Sequence, residues 1–183
     1  MERSQTVNKW GVLLATVIGG FTIILNNSLM NVALPYFMKE YQLTATEAQW
    51  IVTVFALGMV ITMPLSGYLQ REIGIKTVYL VGIIFFLFAS FFASWSWNFY
   101  IIIVFRLLQG LGGGLVMPLS MMLIFQFFPK NERGYALGIW GISAMVAPAV
   151  GPSISGVILN YSGWKMLFLL NVPTALLTAL ATL

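Results

Sequence analysis

Apolar runs long enough to cross a lipid bilayer recur along almost the entire chain, and they limit its fold more than any other feature. A helix of about 20 apolar residues covers the roughly 30 Å of hydrocarbon in a bilayer. Six segments reach that length, at approximately residues 10–35, 50–69, 77–95, 99–128, 135–159 and 166–183. Residues 1–9 precede them as a short tail. The pattern predicts an all-α membrane protein.

The composition supports this prediction and excludes several functions. The chain has 183 residues, of which 60% are hydrophobic and 8% are charged, whereas about a quarter of a soluble domain is charged. It contains no cysteine and no histidine, and its carboxylates fall in the tail or near loops, which leaves little for acid–base, thiol or zinc chemistry. We therefore expect no enzyme activity, metal or cofactor. The scattered basic residues form no patch for nucleic acid.

The basic residues are divided unequally between the two sides of the predicted bundle. One side has only Lys39 and Lys165, and the other side has Arg3, Lys9, Arg71, Lys76, Lys130 and Arg133. Because cytoplasmic loops carry an excess of lysine and arginine, we expect the N-terminus in the cytoplasm. The last span ends without a closing charge or turn, so we expect the chain to be part of a longer protein.

One arginine, Arg106, lies within the fourth predicted span. Because an arginine at the centre of a spanning helix costs about 2.5 to 3.5 kcal/mol, a retained one faces a partner or an aqueous cavity. Gln109 shares its helix face, and Asn26 lies at a similar depth, about 14 Å against about 10 Å from the outer helix ends. These residues, with Asn27 and Asn31, are predicted to line a transport path. Hydrogen bonding of the amides to neighbouring helices is an equally open interpretation.

Small residues mark two predicted helix contacts. In the fourth span, Gly110 and Gly114 share a face and allow another helix to approach closely. The fifth span carries two adjacent columns, which are Ser143, Ala147, Gly151 and Ser155, and Ala144, Pro148, Pro152 and Gly156. The prolines of the second column remove helical donors and favour a bend. We expect this surface to be either an ordinary packing face or a gating face.

Four motifs occur in order along the chain. They are LNNSLMNVALP at 25–35, RLLQGLGGG at 106–114, VAPAVGPSISG at 146–156 and GWKMLFLLNVP at 163–173. Together they resemble the major facilitator superfamily, and most closely its fourteen-span drug:proton antiporters. The resemblance implies the N-terminal six-helix half of such a bundle, built as two three-helix repeats around a central cavity. One position departs from the pattern, because Asn26 stands where the family has an acidic residue, and asparagine does not titrate.

A further segment, GYLQREIGIK beginning at Gly67, resembles the superfamily's loop between the second and third spans. Here Arg71 falls at the aspartate position of that motif and Glu72 at the arginine position. Gly67 and Gly74 are expected to keep a tight turn, and Arg71, Glu72 and Lys76 to form a charged network that gates the cytoplasmic side. A basic loop that only sets the topology is equally consistent with the sequence.

The resemblance implies a transporter of the cell membrane that exports hydrophobic or amphipathic, drug-like compounds by alternating access, as in multidrug efflux and antibiotic resistance. Its expected partners are a hydrophobic small-molecule substrate, protons or another coupling ion, the lipid bilayer and a C-terminal half. Trp50 and Phe55 are expected to contribute to an adaptable apolar cavity wall. Two alternatives remain, namely a metabolite uptake symporter or facilitator on the same scaffold and a membrane interaction or assembly module without transport.

Overall fold

The computed structural model describes residues 8–182, and these form α-helices with short connections. The helices are α1 Lys9–Tyr41, α2 Ala45–Ile73, α3 Ile75–Ala93, α4 Phe99–Phe127, α5 Arg133–Tyr161, α6 Lys165–Leu169 and α7 Asn171–Thr182. Six stretches are long and apolar enough to span a membrane, and α6 and α7 together make the sixth. The predicted all-α membrane fold is confirmed. Most of the predicted tail, residues 1–7, and Leu183 of the last span lie outside the described residues.

Polar caps outside the apolar runs set where the helices end. Gln42 follows α1 in the left-handed conformation, with φ 54°, and its backbone N–H bonds back into the last turn. Thr44 and Glu47 form a reciprocal capping box at the start of α2, and the side chain of Asn98 caps α4 by accepting from a first-turn N–H. These caps satisfy the free backbone groups of the helix ends. The helices therefore end at the caps, beyond the apolar segments.

The sixth span is interrupted at Leu170, between α6 and α7. Pro173 has no backbone N–H, so the carbonyl group of Leu169 lacks the donor that a regular helix would supply. The backbone of Leu170 keeps helical dihedral angles, with φ −57° and ψ −31°. The two pieces therefore continue in one direction and act as a single span.

The packing of the helices reflects two three-helix repeats. Helix α5 packs mainly on α1, and α4 packs mainly on α2 and α3. If the two repeats are exchanged, α1 corresponds to α4, α2 to α5 and α3 to the sixth span. The α1–α5 pair then corresponds to the α4–α2 pair. Likewise, the α3–α4 pair corresponds to the contact between the sixth span and α1, which is also present. Each repeat is therefore completed by helices of the other.

Glycines of α4 bring its backbone close to two neighbouring helices. A Cβ atom at Gly110 would clash with the carbonyl oxygen of Phe55 in α2, and one at Gly114 would clash with the next turn of that helix. A Cβ atom at Gly112 would lie 2.5 Å from the carbonyl oxygen of Gly82 in α3. Lipid provides no hydrophobic drive for helix association, so such close backbone contact is a main source of stability.

Charged groups gather at one end of the bundle. Lys9 at the start of α1 forms an ion pair with Glu132, just before α5, with an Nζ–Oε2 distance of 2.5 Å. Arg133 donates hydrogen bonds to the last carbonyl groups of the α4 end. The Nζ atom of Lys76 in α3 lies 5.8 Å from the ring centroid of Phe127. These contacts join the connections at the α1 start, the α2–α3 joint and the α4 end.

Replacing Gly110 with alanine is expected to destabilise the bundle, because the added methyl group meets the α2 backbone and overpacking costs about 1–3 kcal/mol. The matched control is Gly138→Ala in α5, where an added Cβ has no neighbour within 4 Å. The midpoint of thermal unfolding in detergent should fall for Gly110→Ala and should not fall for Gly138→Ala. Equal midpoints for the two variants would contradict the close α2–α4 contact.

Candidate functional site

The side chain of Arg106 in α4 is fully buried, with 0% of its surface exposed, and it joins three helices. Its Nε donates a 2.8 Å hydrogen bond to the carbonyl oxygen of Ile51 in α2. Its Nη1 donates to Oδ1 of Asn26 in α1 and, at 3.1 Å, to Oε1 of Gln109. The guanidinium carbon lies 4.2 Å from the ring centroid of Phe55, a cation–π contact.

A fourth helix joins through Gln109. Its Nε2 donates a 2.7 Å hydrogen bond to Oγ of Ser90 in α3, and Ser90 in turn donates to the carbonyl oxygen of Phe86. Sequence reasoning missed Ser90. The available signal was a hydroxyl group within the aromatic-rich run of the third span, where an unpaired polar group is costly. We define Arg106, Asn26, Gln109 and Ser90 as the arginine network.

No carboxylate contacts the guanidinium of Arg106 within residues 8–182. The glutamates of this part of the chain lie at helix ends or in connections: Glu40, Glu47, Glu72 and Glu132. The positive charge is therefore met only by uncharged oxygen atoms and an aromatic ring. Two buried donors of the network, Nη2 of Arg106 and Nδ2 of Asn26, have no hydrogen-bond partner among the described residues, which is uncommon for buried polar groups.

The arginine network is closed, which differs from the predicted cavity lining. Asn26, Arg106 and Gln109 all have 0% of their surface exposed. Asn27 is half-buried and Asn31 is exposed, and the Nδ2 atom of Asn31 donates to the carbonyl oxygen of Asn27 in the same helix. With 3.6 residues per turn, they face away from the network.

The two predicted aromatic wall residues lie in different environments. Phe55 is buried beneath Arg106 and is part of the core. Trp50 is 50% exposed and lines a shallow depression of about 480 Å³ along the first turns of α2, with Ala45, Thr46, Gln49 and Thr53. A spacing of five residues places the two rings on different helix faces, so they do not form a common wall here.

The α1–α5 contact depends on a carbonyl group that proline leaves free. Pro152 has no N–H, so the carbonyl oxygen of Pro148 has no helical donor. Ser28 of α1 donates to that oxygen at 3.3 Å. Ser155 of α5 donates in the opposite direction, to a carbonyl oxygen of α1 at 3.1 Å. A Cβ atom at Gly151 would clash with Ser28, so glycine is needed at this crossing.

Only one of the two small-residue columns of α5 is covered. Ala147, Gly151 and Ser155 of the first column are buried. In the second column, Pro148 and Pro152 are exposed, and an added Cβ at Gly156 would meet nothing within 4 Å. Within the described residues the first column therefore packs on α1 and the second faces outward, because neighbouring residues of a helix lie about 100° apart. A gating role for this surface stays a prediction.

Residues 16–183 match a family model described as Major Facilitator Superfamily. The chain belongs to the major facilitator superfamily. It is 36% identical over 172 residues to the uncharacterized MFS-type transporter YhcA of Bacillus subtilis (strain 168), covering 94% of this chain and 32% of that protein.

Two further relatives carry functional names. The riboflavin transporter RibZ of Clostridioides difficile (strain 630) is 32% identical over 169 residues, covering 92% of this chain and 37% of RibZ. The probable multidrug resistance protein EmrY of Escherichia coli (strain K12) is 32% identical over 168 residues, covering 92% of this chain and 33% of EmrY. The chain thus spans about a third of the length of the curated relatives it matches.

The helical arrangement is that of a solved member of the superfamily. The inward open xylose transporter XylE from Escherichia coli superposes with a TM-score of 0.82 at 18% identity, over 96% of this chain and 48% of XylE. At this low identity the similarity bears on the fold alone. The predicted N-terminal six-helix half of a major-facilitator bundle is confirmed.

The segment that the sequence indicates as a cytoplasmic gate loop is mostly helical. Gly67 lies inside α2, Arg71 and Glu72 belong to its last turn, and Lys76 belongs to α3. Gly74 alone joins the two helices, with φ 87°, a conformation that favours glycine. Arg71 and Glu72 are exposed, and neither forms an ion pair within the described part of the chain. The expected network therefore has no ion pair between these side chains in the described part of the chain, and its gating role stays a prediction.

A double-mutant cycle tests the hydrogen bond between Arg106 and Asn26. Combining Arg106→Met with Asn26→Ala should give a coupling energy of about 1.5–3 kcal/mol, as expected for a hydrogen bond to a charged group. The free energy of unfolding in detergent micelles is the measured quantity. The control cycle pairs Arg106→Met with Asn31→Ala, where the coupling should stay below about 0.5 kcal/mol. Similar coupling in both cycles would contradict the buried contact.

Proposed function

We propose that the protein is an ion-coupled antiporter that exports hydrophobic or amphipathic, drug-like compounds across the cell membrane. The observation that carries the proposal is the arginine network, in which a buried cation joins α1, α2, α3 and α4 at membrane depth. Ionisable residues at such positions are expensive to keep and mark transport pathways. Similarity to a relative named as a probable multidrug resistance protein supports export. An enzyme activity is not part of the proposal.

In the proposed mechanism the six spans rock together as one half. The arginine network and the glycine contacts of α4 hold the helices together in the closed state, and α1 shifts against α2 and α4 when the central cavity opens. A C-terminal half would pack on exposed surfaces of this unit, including the column of α5 that carries Pro148 and Pro152. Rocking of the two halves would then expose the substrate site to each side in turn. The end that bears Lys9, Lys76 and Arg133 would face the cytoplasm, because basic residues favour that side.

The proposal places the coupling ion outside the arginine network. Asn26 and Gln109 carry no titratable group, and the described carboxylates lie at helix ends or in connections. Protons, or another coupling cation, would therefore bind elsewhere in the complete transporter. Substrate binding in the central cavity would reach the network when that cavity opens toward α1 and α4.

Export can be tested with a fluorescent lipophilic dye in cells that express the protein. Arg106→Ala is expected to reduce the efflux rate by about tenfold or more, because it removes hydrogen bonds to a charged group that are worth about 1.5–3 kcal/mol. Lys39→Ala is the matched control, since Lys39 is exposed at the end of α1. Undiminished efflux in Arg106→Ala at equal expression would remove Arg106 from the mechanism.

Uptake of a metabolite is the second candidate function. A relative that is 32% identical over 92% of this chain is named as a riboflavin transporter, and this name supports a metabolite as an alternative substrate. The closed arginine network is compatible with either direction of transport. The direction of the coupled ion flux decides between the two candidates.

Purified protein in vesicles with an imposed pH gradient separates export from uptake. We expect a lipophilic dye to move opposite to the proton flux, since the proposal is an antiporter. Movement of riboflavin together with protons would favour the uptake symporter instead. No gradient-driven movement of either compound, with correctly folded protein in the vesicles, would favour an assembly module without transport.

A further inference from the structure

We infer that Arg106 and Asn26 form a binding site for a singly charged anionic group, either a free halide such as chloride or a carboxylate of the transported compound. The inference rests on the proposed transport function, because the shift of α1 against α2 and α4 in that mechanism is what would open this closed site. It narrows the substrate class to amphipathic compounds that carry, or travel with, an anionic group.

The positive charge of Arg106 has no negative partner in the described chain. Arg106 is fully buried, and its described partners are the neutral oxygens of Ile51, Asn26 and Gln109 and the ring of Phe55. A buried charge is stable in an apolar interior when it is paired, and an unpaired one is costly. A bound anion would supply the negative charge that the described chain does not place there.

Two hydrogen-bond donors of the arginine network are free. Nη2 of Arg106 and Nδ2 of Asn26 are both buried without an acceptor in the described chain. They belong to two side chains that are already joined by the Nη1–Oδ1 hydrogen bond, which orients the amide so that its oxygen is occupied and its nitrogen is free. Both free groups are donors, so the complementary ligand is an acceptor.

The remaining side-chain acceptors of the arginine network are occupied. Oε1 of Gln109 accepts from Arg106, and Ser90 accepts from Gln109 while donating to a backbone carbonyl. A rearrangement within these side chains would therefore leave another group unpaired. An acceptor from outside the chain that reached both free donors would satisfy them and the charge together, and guanidinium groups bind carboxylates particularly well.

The test measures how added anions change the thermal stability of the purified full-length protein in detergent. Sodium chloride and sodium benzoate are titrated separately at constant ionic strength, balanced with sodium sulfate. The midpoint of unfolding of the unmodified protein should rise saturably with at least one probe, since a ligand of the folded state stabilises it. A rise with both probes assigns a free anion, and a rise with benzoate alone assigns an organic carboxylate.

Asn26→Asp is the decisive variant, because a carboxylate at this position would supply the missing charge from within the chain. Its midpoint should be insensitive to either probe. Asn26→Ala removes one free donor and should weaken the apparent affinity by about tenfold, which keeps the test informative if Asn26→Asp folds poorly. Asn160→Asp makes the same chemical change at an exposed position and should respond like the unmodified protein.

The inference is overturned if neither probe gives a saturable rise in the unmodified protein, or if Asn26→Asp shows the same rise. Because the readout is binding and not flux, these outcomes leave the export proposal standing. A retained anion effect in a protein that exports no dye would have the opposite meaning, and would contradict export while supporting the anion site.

Discussion

The guanidinium group of Arg106 is held inside an apolar bundle by uncharged oxygen atoms of two neighbouring helices and its own, and by the ring of Phe55. Removing such a group from water is costly unless its donors are satisfied. In the closed conformation the acceptors therefore stay within hydrogen-bond distance, and this positions α1, α2 and α4 relative to one another. The link from Gln109 to Ser90 extends the constraint to α3.

Close backbone packing and the arginine network depend on each other. The Nε atom of Arg106 reaches a main-chain oxygen of α2, at Ile51, and this is possible only if α2 lies close to α4. One turn further along, Gly110 meets the backbone of Phe55, and Gly58 of α2 meets the backbone of α4 in return. Larger side chains at these glycines would separate the helices and take the acceptor away from the arginine. Small residues thus contribute to the polar site as well as to packing.

The sequence alone predicted the fold and the similar depth of Asn26 and Arg106. It did not predict the backbone acceptor of Arg106 or the burial of the network. Apolar length predicted the spans, and helical rise placed Asn26 and Arg106 at similar depth, where the structure joins them. The acceptor at Ile51 is a backbone oxygen, which any residue would provide, so no sequence signal marks it. Whether the network is open or closed depends on distances between helices, which spacing along one helix does not contain. Gly67 was assigned to a turn, but α2 continues past it to Ile73.

The choice of asparagine at position 26 changes the electrostatics of the whole network. An aspartate there would form an ion pair with Arg106, and the net charge of the pair would change when the carboxylate takes up a proton. Asparagine presents a similar oxygen but has no proton to exchange, so the net positive charge of the pair does not vary through this position. In the anion site inferred above, compensation of that charge comes from a group that enters and leaves. In an alternating-access protein, the net charge of the site would then depend on whether an anion is bound, and not on protonation of a residue in α1.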